Sequence, residues 1–350
     1  MIMSEKGKQH VDSCRFCWMC HHICPIGNAT GQERNTARAR ALGISLVNRE
    51  AIDLNEIMDN IFECGCCGAC VKECVTGWDP VMFTKETRLH AAMEDKLPEY
   101  INVLVDNCLE KGNAYGITEI DAELKKAIAA HSAKTDLVLF LGADAIYKAP
   151  ECAVKAIKVL ENEPNSGAQL EYLISAANET KEVMNNCAKA LNGFKTVVAY
   201  DPQDAKVLKR EYKEWDIALT AEVKTFTSFV AGLLKDGALK AENNGKKVVY
   251  QDPFQLSRDL LETEEAREII NAYAVCEEML CNRKDTMWAG NILMREWMAD
   301  VMDKVALARI FNAKCVNADT IVTASVSEYV SLKSVESDVE ILSIEDLILG

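Results

Sequence analysis

The chain has 350 residues, a length that exceeds one small hydrophobic core and predicts two or three domains. Hydrophobic residues make up 49% and charged residues 27% of the chain, as in a folded globular protein, and the longest apolar run, Leu137 to Ala145, is too short for a membrane span. The net charge of −15 argues against nucleic-acid binding, which depends on clustered Lys and Arg.

The cysteines are unevenly distributed. The first twelve residues lack the features of a signal peptide, so we expect a cytoplasmic location, where thiols are kept reduced and a disulfide framework is disfavoured. Nine of the 15 cysteines fall between Cys14 and Cys74, which predicts a metal centre. The other six are scattered and are predicted to be small buried apolar residues: Cys108, Cys152, Cys187, Cys276, Cys281 and Cys315.

The first cysteine run, Cys14 to Pro25, has the spacing C-x2-C-x2-C-x3-C-P, the pattern of bacterial ferredoxins. The second run, Cys64 to Cys74, repeats C-x2-C-x2-C-x3-C without the proline. Three closely spaced thiolates can ligate one face of a [4Fe–4S] cubane, and in two-cluster ferredoxins the fourth cysteine serves the other cluster. The predicted ligands are therefore two interleaved sets, Cys14, Cys17, Cys20 and Cys74 for one cluster, and Cys64, Cys67, Cys70 and Cys24 for the second.

Cys66 is left over by this assignment. Using it in place of Cys67 would give C-x-C-x3-C, a poorer match, so we expect it beside the cluster rather than as a ligand. His21 and His22 lie inside a run whose ligand count is already complete, so they are expected to face solvent or to bond to sulfide. Structural zinc is the alternative, but zinc sites usually use separated C-x2-C pairs.

Outside the cysteine runs, the sequence predicts helices up to about residue 130 and α/β units after it. Apolar periodicity predicts helices over Asn28 to Leu46, Leu54 to Phe62 and a helical stretch from about Val81 to Ala130. Beyond these, predicted strands alternate with predicted helices, which indicates parallel sheets. The strands are Asp136 to Gly142, Thr196 to Tyr200, Lys247 to Gln251 and Asp319 to Ala324, and the helices are Val154 to Leu160, Lys181 to Leu191, Ala205 to Trp215 and Glu262 to Tyr273.

A weak internal repeat divides the second part of the chain. The segment FLGADAIYKAP followed by VVAYDPQDAKVL corresponds to VVYQDPFQLSR followed by IVTASVSEYVSL, with a joint at Asn243 to Gly245. The predicted fold class is a multidomain α+β and α/β chain: a helical, ferredoxin-like two-cluster domain followed by two similar α/β domains with small parallel sheets. The predicted boundaries are 1–97 for the two-cluster domain, 98–131 for a helical connector, and 132–243 and 244–350 for the α/β domains.

These motifs, with the segment Gly31 to Arg40 and two such domains, resemble the family of iron–sulfur subunits found in glycolate oxidase and in heterodisulfide reductase. The resemblance extends over essentially the whole chain. It implies that each α/β domain is a Cys-Cys-Gly domain, which in the reductases binds an unusual [4Fe–4S] cluster that cleaves a disulfide.

The chain departs from that family at the ligands of the α/β domains. Positions that correspond to Cys-Cys-Gly are Ala176-Ala177-Asn178 and Met287 to Gly290, and those of the terminal Cys-Pro-x-Cys are Asp201 to Asp204 and Ser325 to Glu328. Such side chains cannot replace soft thiolates, so no third cluster and no heterodisulfide reduction are expected. Cys276 and Cys281, placed on one predicted helix, do not restore a site. Asp201 and Asp204 are interpreted as a solvated helix cap, with a hard-cation site as the alternative.

The sequence therefore predicts an electron-transfer subunit. It would relay single electrons between a partner flavoprotein that oxidises a 2-hydroxy acid and a further acceptor, and no catalytic residue is expected in this chain. Gly142-Ala143-Asp144 follows a strand but lacks the G-x-G-x-x-G fingerprint, so neither flavin nor nicotinamide is expected. The expected partners are an FAD-containing subunit and an electron-transfer flavoprotein or other redox subunit. The alternatives are a catalytic, heterodisulfide-reductase-like subunit and a docking scaffold.

Overall fold

The computed structural model describes residues 3–14, 17–131, 135–157, 166 and 168–350. Its described residues up to position 131 form helices joined by loops and two 3₁₀ turns, Glu33–Asn35 and Leu54–Ile57. The helices are α1 (Glu5–Asp12), α2 (Pro25–Thr30), α3 (Ala37–Asn48), α4 (Met58–Phe62), α5 (Ala69–Glu73), α6 (Pro80–Met93), α7 (Glu99–Lys111) and α8 (Ala122–His131).

The single helix predicted over Asn28 to Leu46 is wrong, because the chain turns at Gly31. Pro25 begins α2, and Gly31 ends it in the left-handed conformation with φ of 64°. The helix resumes only at Ala37, after the 3₁₀ turn at Glu33–Asn35. This break divides the predicted helix into α2 and α3, and the first cysteine run ends where α2 begins.

The first sheet lies in the middle of the chain and has the parallel order β1-β2-β3 in the described residues. Its strands and helices are β1 (Leu137–Phe140), α9 (Ala143–Lys148), α10 (Pro150–Ile157), α11 (Ala168–Ile174), α12 (Asn178–Leu191), β2 (Thr196–Ala199), α13 (Pro202–Lys206), a π-helical segment (Val207–Glu211), α14 (Tyr212–Glu214), β3 (Glu222–Thr225) and α15 (Phe226–Lys235). The predicted helix over Val154 to Leu160 matches α10 up to Ile157, and its last three residues lie outside the described ranges.

The second sheet is also parallel, with the order β5-β4-β6-β7. Its elements are β4 (Lys247–Gln251), a π-helical segment (Gln255–Asp259), α16 (Glu265–Tyr273), β5 (Val275–Glu277), a 3₁₀ turn (Arg283–Asp285), α17 (Arg295–Cys315), β6 (Thr320–Thr323), α18 (Val326–Lys333), β7 (Glu340–Ser343) and α19 (Ile344–Leu349). The fold thus combines helices with two small parallel sheets, as the sequence predicts.

Two hydrophobic cores connect these regions. One core contains side chains of both sheets, including Leu139 and Val198 of the first and Val248 and Val322 of the second, and α15 packs against α16 across the predicted joint. The proposed boundary at 243 and 244 falls in the loop between α15 and β4, and it stays a prediction. The other core joins the helical region to both α/β units through residues such as Tyr172 and Trp288.

The helices differ in length and in apolar content. No helix in the described ranges combines the length and apolar composition that crossing a bilayer requires.

Candidate metal centre

The first group of cysteines surrounds a cavity near the surface, which we call cavity I. It has an empty volume of about 340 Å³. Its lining residues are Cys14, Cys17, Cys20 and Cys74 together with Met19, Val75, Thr76 and Trp78. Cys17 is exposed, whereas Cys20 is buried and burial is the main cause that raises the pKa of its thiol. Cavity I therefore brings four thiols together at one edge of the molecule.

The second group surrounds a deeper cavity, cavity II, with an empty volume of about 420 Å³. The cysteines that line it are Cys24, Cys64, Cys66, Cys67 and Cys70. Burial raises the pKa of the Cys67 thiol to about 11 and that of Cys70 well above its usual range. These thiols lie away from water, where thiolates need compensating positive charge or metal.

The two cysteine runs cross over between the cavities. Cys24 belongs to the first run but lines cavity II, and Cys74 belongs to the second run but lines cavity I. Cys24 is the N-cap of α2 and Cys74 the C-cap of α5, so each fourth cysteine is separated from its own run by a turn of chain. The structure thus places four of the eight predicted cysteines in each cavity, with Cys66 as a fifth cysteine in cavity II. Their role as cluster ligands stays a prediction.

Cavity II contains a buried cation with an unused donor. The Arg40 side chain is 2% exposed, and its Nε donates to the carbonyl oxygen of Asn60 at 2.9 Å. Its Nη2 has no hydrogen-bond partner among the described residues. Burial alone would lower the pKa of Arg40. The nearby Cys64, Cys24 and Cys70 thiolates raise it by more than burial lowers it, so the pKa of Arg40 lies above its ordinary value. A guanidinium with a free N–H on the wall fits a negatively charged group ligated by thiolates.

Further donors point at the sulfur atoms. The Gly27 amide donates to Cys24 Sγ at 3.4 Å, and the Cys66 amide donates to Cys64 Sγ, also at 3.4 Å. In cavity I, Cys74 Sγ lies 3.2 Å from Thr76 Oγ1. Hydrogen bonds to ligating sulfurs stabilise thiolate and tune the potential of iron–sulfur clusters. The residues present therefore fit a [4Fe–4S] group in each cavity.

A single-ion site is a different arrangement. The described part of the chain contains no group of three or more His, Cys, Asp or Glu side chains placed to hold one metal ion. In a cubane each thiolate ligates its own iron, so the sulfurs surround a group rather than converge on one ion.

Cys66 lines cavity II and is paired with Cys64. Its backbone has φ of 50°, in the left-handed region, and its amide donates to the Cys64 sulfur. A hydrogen bond between the two thiols is the largest cause that lowers the pKa of Cys64 and raises that of Cys66. This hydrogen bond therefore favours the thiolate on Cys64 over that on Cys66. The prediction that Cys66 is not a ligand remains to be tested.

The two histidines of the first run line neither cavity. His22 is exposed, and the His21 ring packs against Trp18 with ring centroids 5.5 Å apart. A more distant histidine, His10, accepts a hydrogen bond from the Asp79 amide through Nδ1 at 2.9 Å, which attaches α1 to the start of α6.

Side chains from distant parts of the sequence hold the second cysteine loop by hydrogen bonds to its carbonyl groups. Arg88 Nη2 and the Tyr172 hydroxyl both donate to the Cys64 carbonyl, at 2.8 and 3.0 Å. Arg258 Nη1 donates to the Cys67 carbonyl at 2.7 Å. These residues were not predicted from the sequence, because no local pattern marks a contact made between distant segments. They fix cavity II to both α/β units.

The first α/β unit carries three carboxylates just after its strands β1 and β2, of which Asp201 and Asp204 are buried and Asp144 is half-buried. Asp144, Asp201 and Asp204 line one cavity with an empty volume of about 450 Å³. Asp201 caps α13, as predicted, through the Gln203 amide at 2.8 Å, but it is 2% exposed, so the interpretation as a solvated cap is wrong. Its second oxygen accepts from the Val326 amide at 3.1 Å, and burial raises the pKa of Asp201 well above its usual value.

The scattered cysteines follow the prediction in part. Cys108, Cys152 and Cys187 are buried, but Cys276 and Cys281 are half-buried and Cys315 is exposed. The placement of Cys276 and Cys281 on one helix is wrong, because Cys276 lies in β5 and Cys281 follows it in a loop. The β5 strand pairs with β4, and this pairing replaces the expected helix.

Comparison with known proteins gives a distant match. No family model matches the chain. The chain is similar to a probable membrane-anchored ferredoxin from Chromohalobacter salexigens, with 24% identity over 271 residues. The match includes 71% of this chain but 39% of that protein, so the similarity covers well under half of the relative. It supports an iron–sulfur protein with a role in electron transfer.

Proposed function

We propose that this chain is an electron-transfer subunit that holds two [4Fe–4S] clusters in a ferredoxin-like domain. The observation that carries the proposal is the exchange of the fourth cysteines between cavities I and II. Cys20 and Cys24 line different cavities and are four residues apart, and such a segment spans at most about 14 Å. The geometry therefore suits two redox groups placed close enough for single-electron hopping.

The proposed ligands are Cys14, Cys17, Cys20 and Cys74 in cavity I, and Cys24, Cys64, Cys67 and Cys70 in cavity II. When bound, each cluster supplies a site that takes up and releases one electron at a time. Arg40 compensates negative charge in cavity II, and the Gly27 and Cys66 amides hold the ligand sulfurs.

Cavity I is the side on which we place the electron partner. Cys17 is exposed, and three apolar side chains beside it are exposed as well: Trp18 (57%), Met19 (42%) and Val75 (80%). The cysteine loop at cavity II, by contrast, is held from the α/β units by hydrogen bonds from Tyr172 and Arg258. An exposed apolar rim around a charged redox group is typical of a docking surface for a redox partner.

The partner we propose is an FAD-containing oxidoreductase subunit acting on a 2-hydroxy acid, with an electron-transfer flavoprotein or another redox subunit as the further carrier. A flavin divides a two-electron oxidation into single electrons, which one-electron clusters then accept. The acidic character of the chain, with a net charge of −15, suits a partner with a basic face.

The test is anaerobic co-purification at low salt, identification of the bound subunits, and visible absorbance after addition of lactate or glycolate. The complex should lose its cluster absorbance on addition of substrate, because electrons pass from flavin to cluster. The isolated chain should keep it. If the isolated chain were bleached by either hydroxy acid, the division of labour between subunits would be wrong.

A further inference from the structure

A cleft separate from cavities I and II lies between the helical region and both α/β units. It is formed by α5, the start of α6 and the two π-helical segments, and its empty volume is about 890 Å³. Cys66 lines both this cleft and cavity II, so the cleft adjoins the wall of the second cysteine set. We call it the basic cleft.

The lining of the basic cleft is unusually cationic for an acidic protein. Six basic side chains line it: Lys72, Lys85, Lys206, Arg210, Arg258 and Lys284. Three carboxylates face them: Asp79, Glu211 and Asp259. The chain as a whole has a net charge of −15, so this concentration of positive charge opposes the general trend.

The three carboxylates are already engaged. Asp79 caps α6 by accepting from the Val81 and Met82 amides, both at 3.0 Å. Glu211 pairs with Lys206 at 3.0 Å, and Asp259 pairs with Arg210 at 3.2 Å. Carboxylates outside the lining engage three more of the basic side chains, because Lys85 and Lys206 pair with Glu171 and Lys72 pairs with Asp285. The positive charge that has no carboxylate partner is therefore confined to part of the wall.

Arg258 and Lys284 are the clearest examples. Arg258 donates to main-chain carbonyls, those of Cys67 at 2.7 Å, Lys284 at 2.9 Å and Thr286. Within the described ranges, neither the Arg258 guanidinium nor the Lys284 ammonium has a carboxylate within 4.0 Å. The main-chain bonds hold the Arg258 guanidinium in place, so its positive charge is fixed at the cleft.

We propose that the basic cleft binds a small oxyanion that carries two or more phosphate or carboxylate groups. The part of the cleft that a water-sized molecule can reach has a volume of about 320 Å³, at the lower end of the range of small-molecule sites, about 300 to 1,000 Å³. Its described lining contains no aromatic ring, so recognition rests on charge rather than on stacking of a base. A ligand there would lie against the Cys66 wall, beside the second cysteine set. The inference does not depend on the identity of the electron partner.

The experiment is isothermal titration calorimetry of the full, anaerobically purified chain with pyrophosphate and, separately, with citrate. We expect one saturable site per chain for at least one of the two probes, with affinity that falls as salt is added. The two probes distinguish a phosphate ligand from a carboxylate ligand. No saturable binding of either probe, or binding only of a short polyglutamate peptide, would overturn the proposal.

The variant for this test is K72Q with K284Q, which removes two charges from the lining. The matched control is K126Q with K195Q, two exposed lysines outside the cleft that pair with Glu123 and Asp136. The cleft variant should raise the Kd about tenfold, while the control should leave it unchanged. An equal loss in both variants would show non-specific attraction and contradict a site. Unchanged binding in the cleft variant would contradict it as well.

Discussion

The indole ring of Trp288 occupies the space into which any side chain at Gly65 would project. A Cβ atom added to Gly65 would overlap two ring atoms of Trp288 and lie 3.1 Å from a third. Trp288 is 3% exposed and belongs to the second α/β unit. A ring of the second α/β unit is therefore packed on the second cysteine loop.

This contact predicts that Gly65→Ala is harmful. Since the indole ring is buried and cannot move freely, the methyl group should cost about 1 to 3 kcal/mol of unfolding free energy and disturb cavity II. Denaturant unfolding and the iron content of the variant would measure both effects. Gly232→Ala is the control, because its Cβ meets no atom within 4 Å and a helical Ala is favoured by about 0.5 to 1 kcal/mol. Equal behaviour of both variants would contradict the role given to this contact.

The crossing of the cysteine runs predicts how serine variants group. Cys24→Ser should perturb the same EPR signal of the reduced protein as Cys67→Ser, because both side chains line cavity II. Cys74→Ser should perturb the other signal, since Cys74 lines cavity I. Cys66→Ser is the control and should leave both signals and the iron content in place. If Cys24→Ser grouped with Cys74→Ser, the crossing would be wrong.

Buried carboxyl groups predict how stability depends on pH. Burial raises the pKa of Glu328 to about 8 and that of Glu345 to about 7, from an ordinary value of 4.5. Between about pH 4.5 and about pH 7 to 8, the folded protein therefore keeps these two carboxyl groups protonated, whereas the unfolded chain has lost both protons. Their contribution to stability is complete below about pH 4.5 and is lost as pH rises to about 8, by at most about 1.4 kcal/mol per pH unit for each group.

The variant that tests this pH dependence is Glu328→Gln. It keeps the shape of the side chain and cannot ionise, so its unfolding free energy should fall less between about pH 5 and about pH 8 than that of the wild type. Denaturant unfolding at both pH values measures the difference. Glu119→Gln, at an exposed position, should keep the wild-type slope. A Glu328→Gln slope identical to wild type would contradict the assignment.

The exposed rim of cavity I predicts where the electron partner binds. Val75→Glu should slow the reduction of the chain by its co-purified flavoprotein about tenfold or more, because it places a charge in a desolvated interface. Phe311→Glu is the control, since Phe311 is also exposed but lies on α17, outside the lining of cavity I. Stopped-flow absorbance measures the rate. A larger effect from Phe311→Glu than from Val75→Glu would contradict a docking surface at the rim of cavity I.

Much of the fold follows from local sequence. The four predicted strands are β1, β2, β4 and β6, and their apolar residues are largely buried. β2, β4 and β6 are interior strands, whereas β1 lies at an edge but is as apolar as they are. The strands that were not predicted are β3, β5 and β7, each at the edge of its sheet. An edge strand needs only one partner and little apolar burial, so segments such as EVKT and VCE carry no clear signal.

In the candidate site, too, some features follow from local sequence and others depend on tertiary packing. The spacing of the cysteines is local, and from it alone two sets of four ligands are predicted, an assignment that stays a prediction. The residues that hold the second loop, Arg88, Tyr172, Arg258 and Trp288, are brought there by tertiary packing, which a single sequence does not encode in any short pattern. The buried environment of Asp201 was missed for the same reason.

The central claim is that the two cavities lined by the two sets of four thiols each hold a four-iron cluster. Quantification of iron and acid-labile sulfide in the anaerobically purified chain tests it most directly. We expect about eight irons and about eight sulfides per chain. Zinc in place of iron, about four irons, or about twelve or more irons per chain would contradict it.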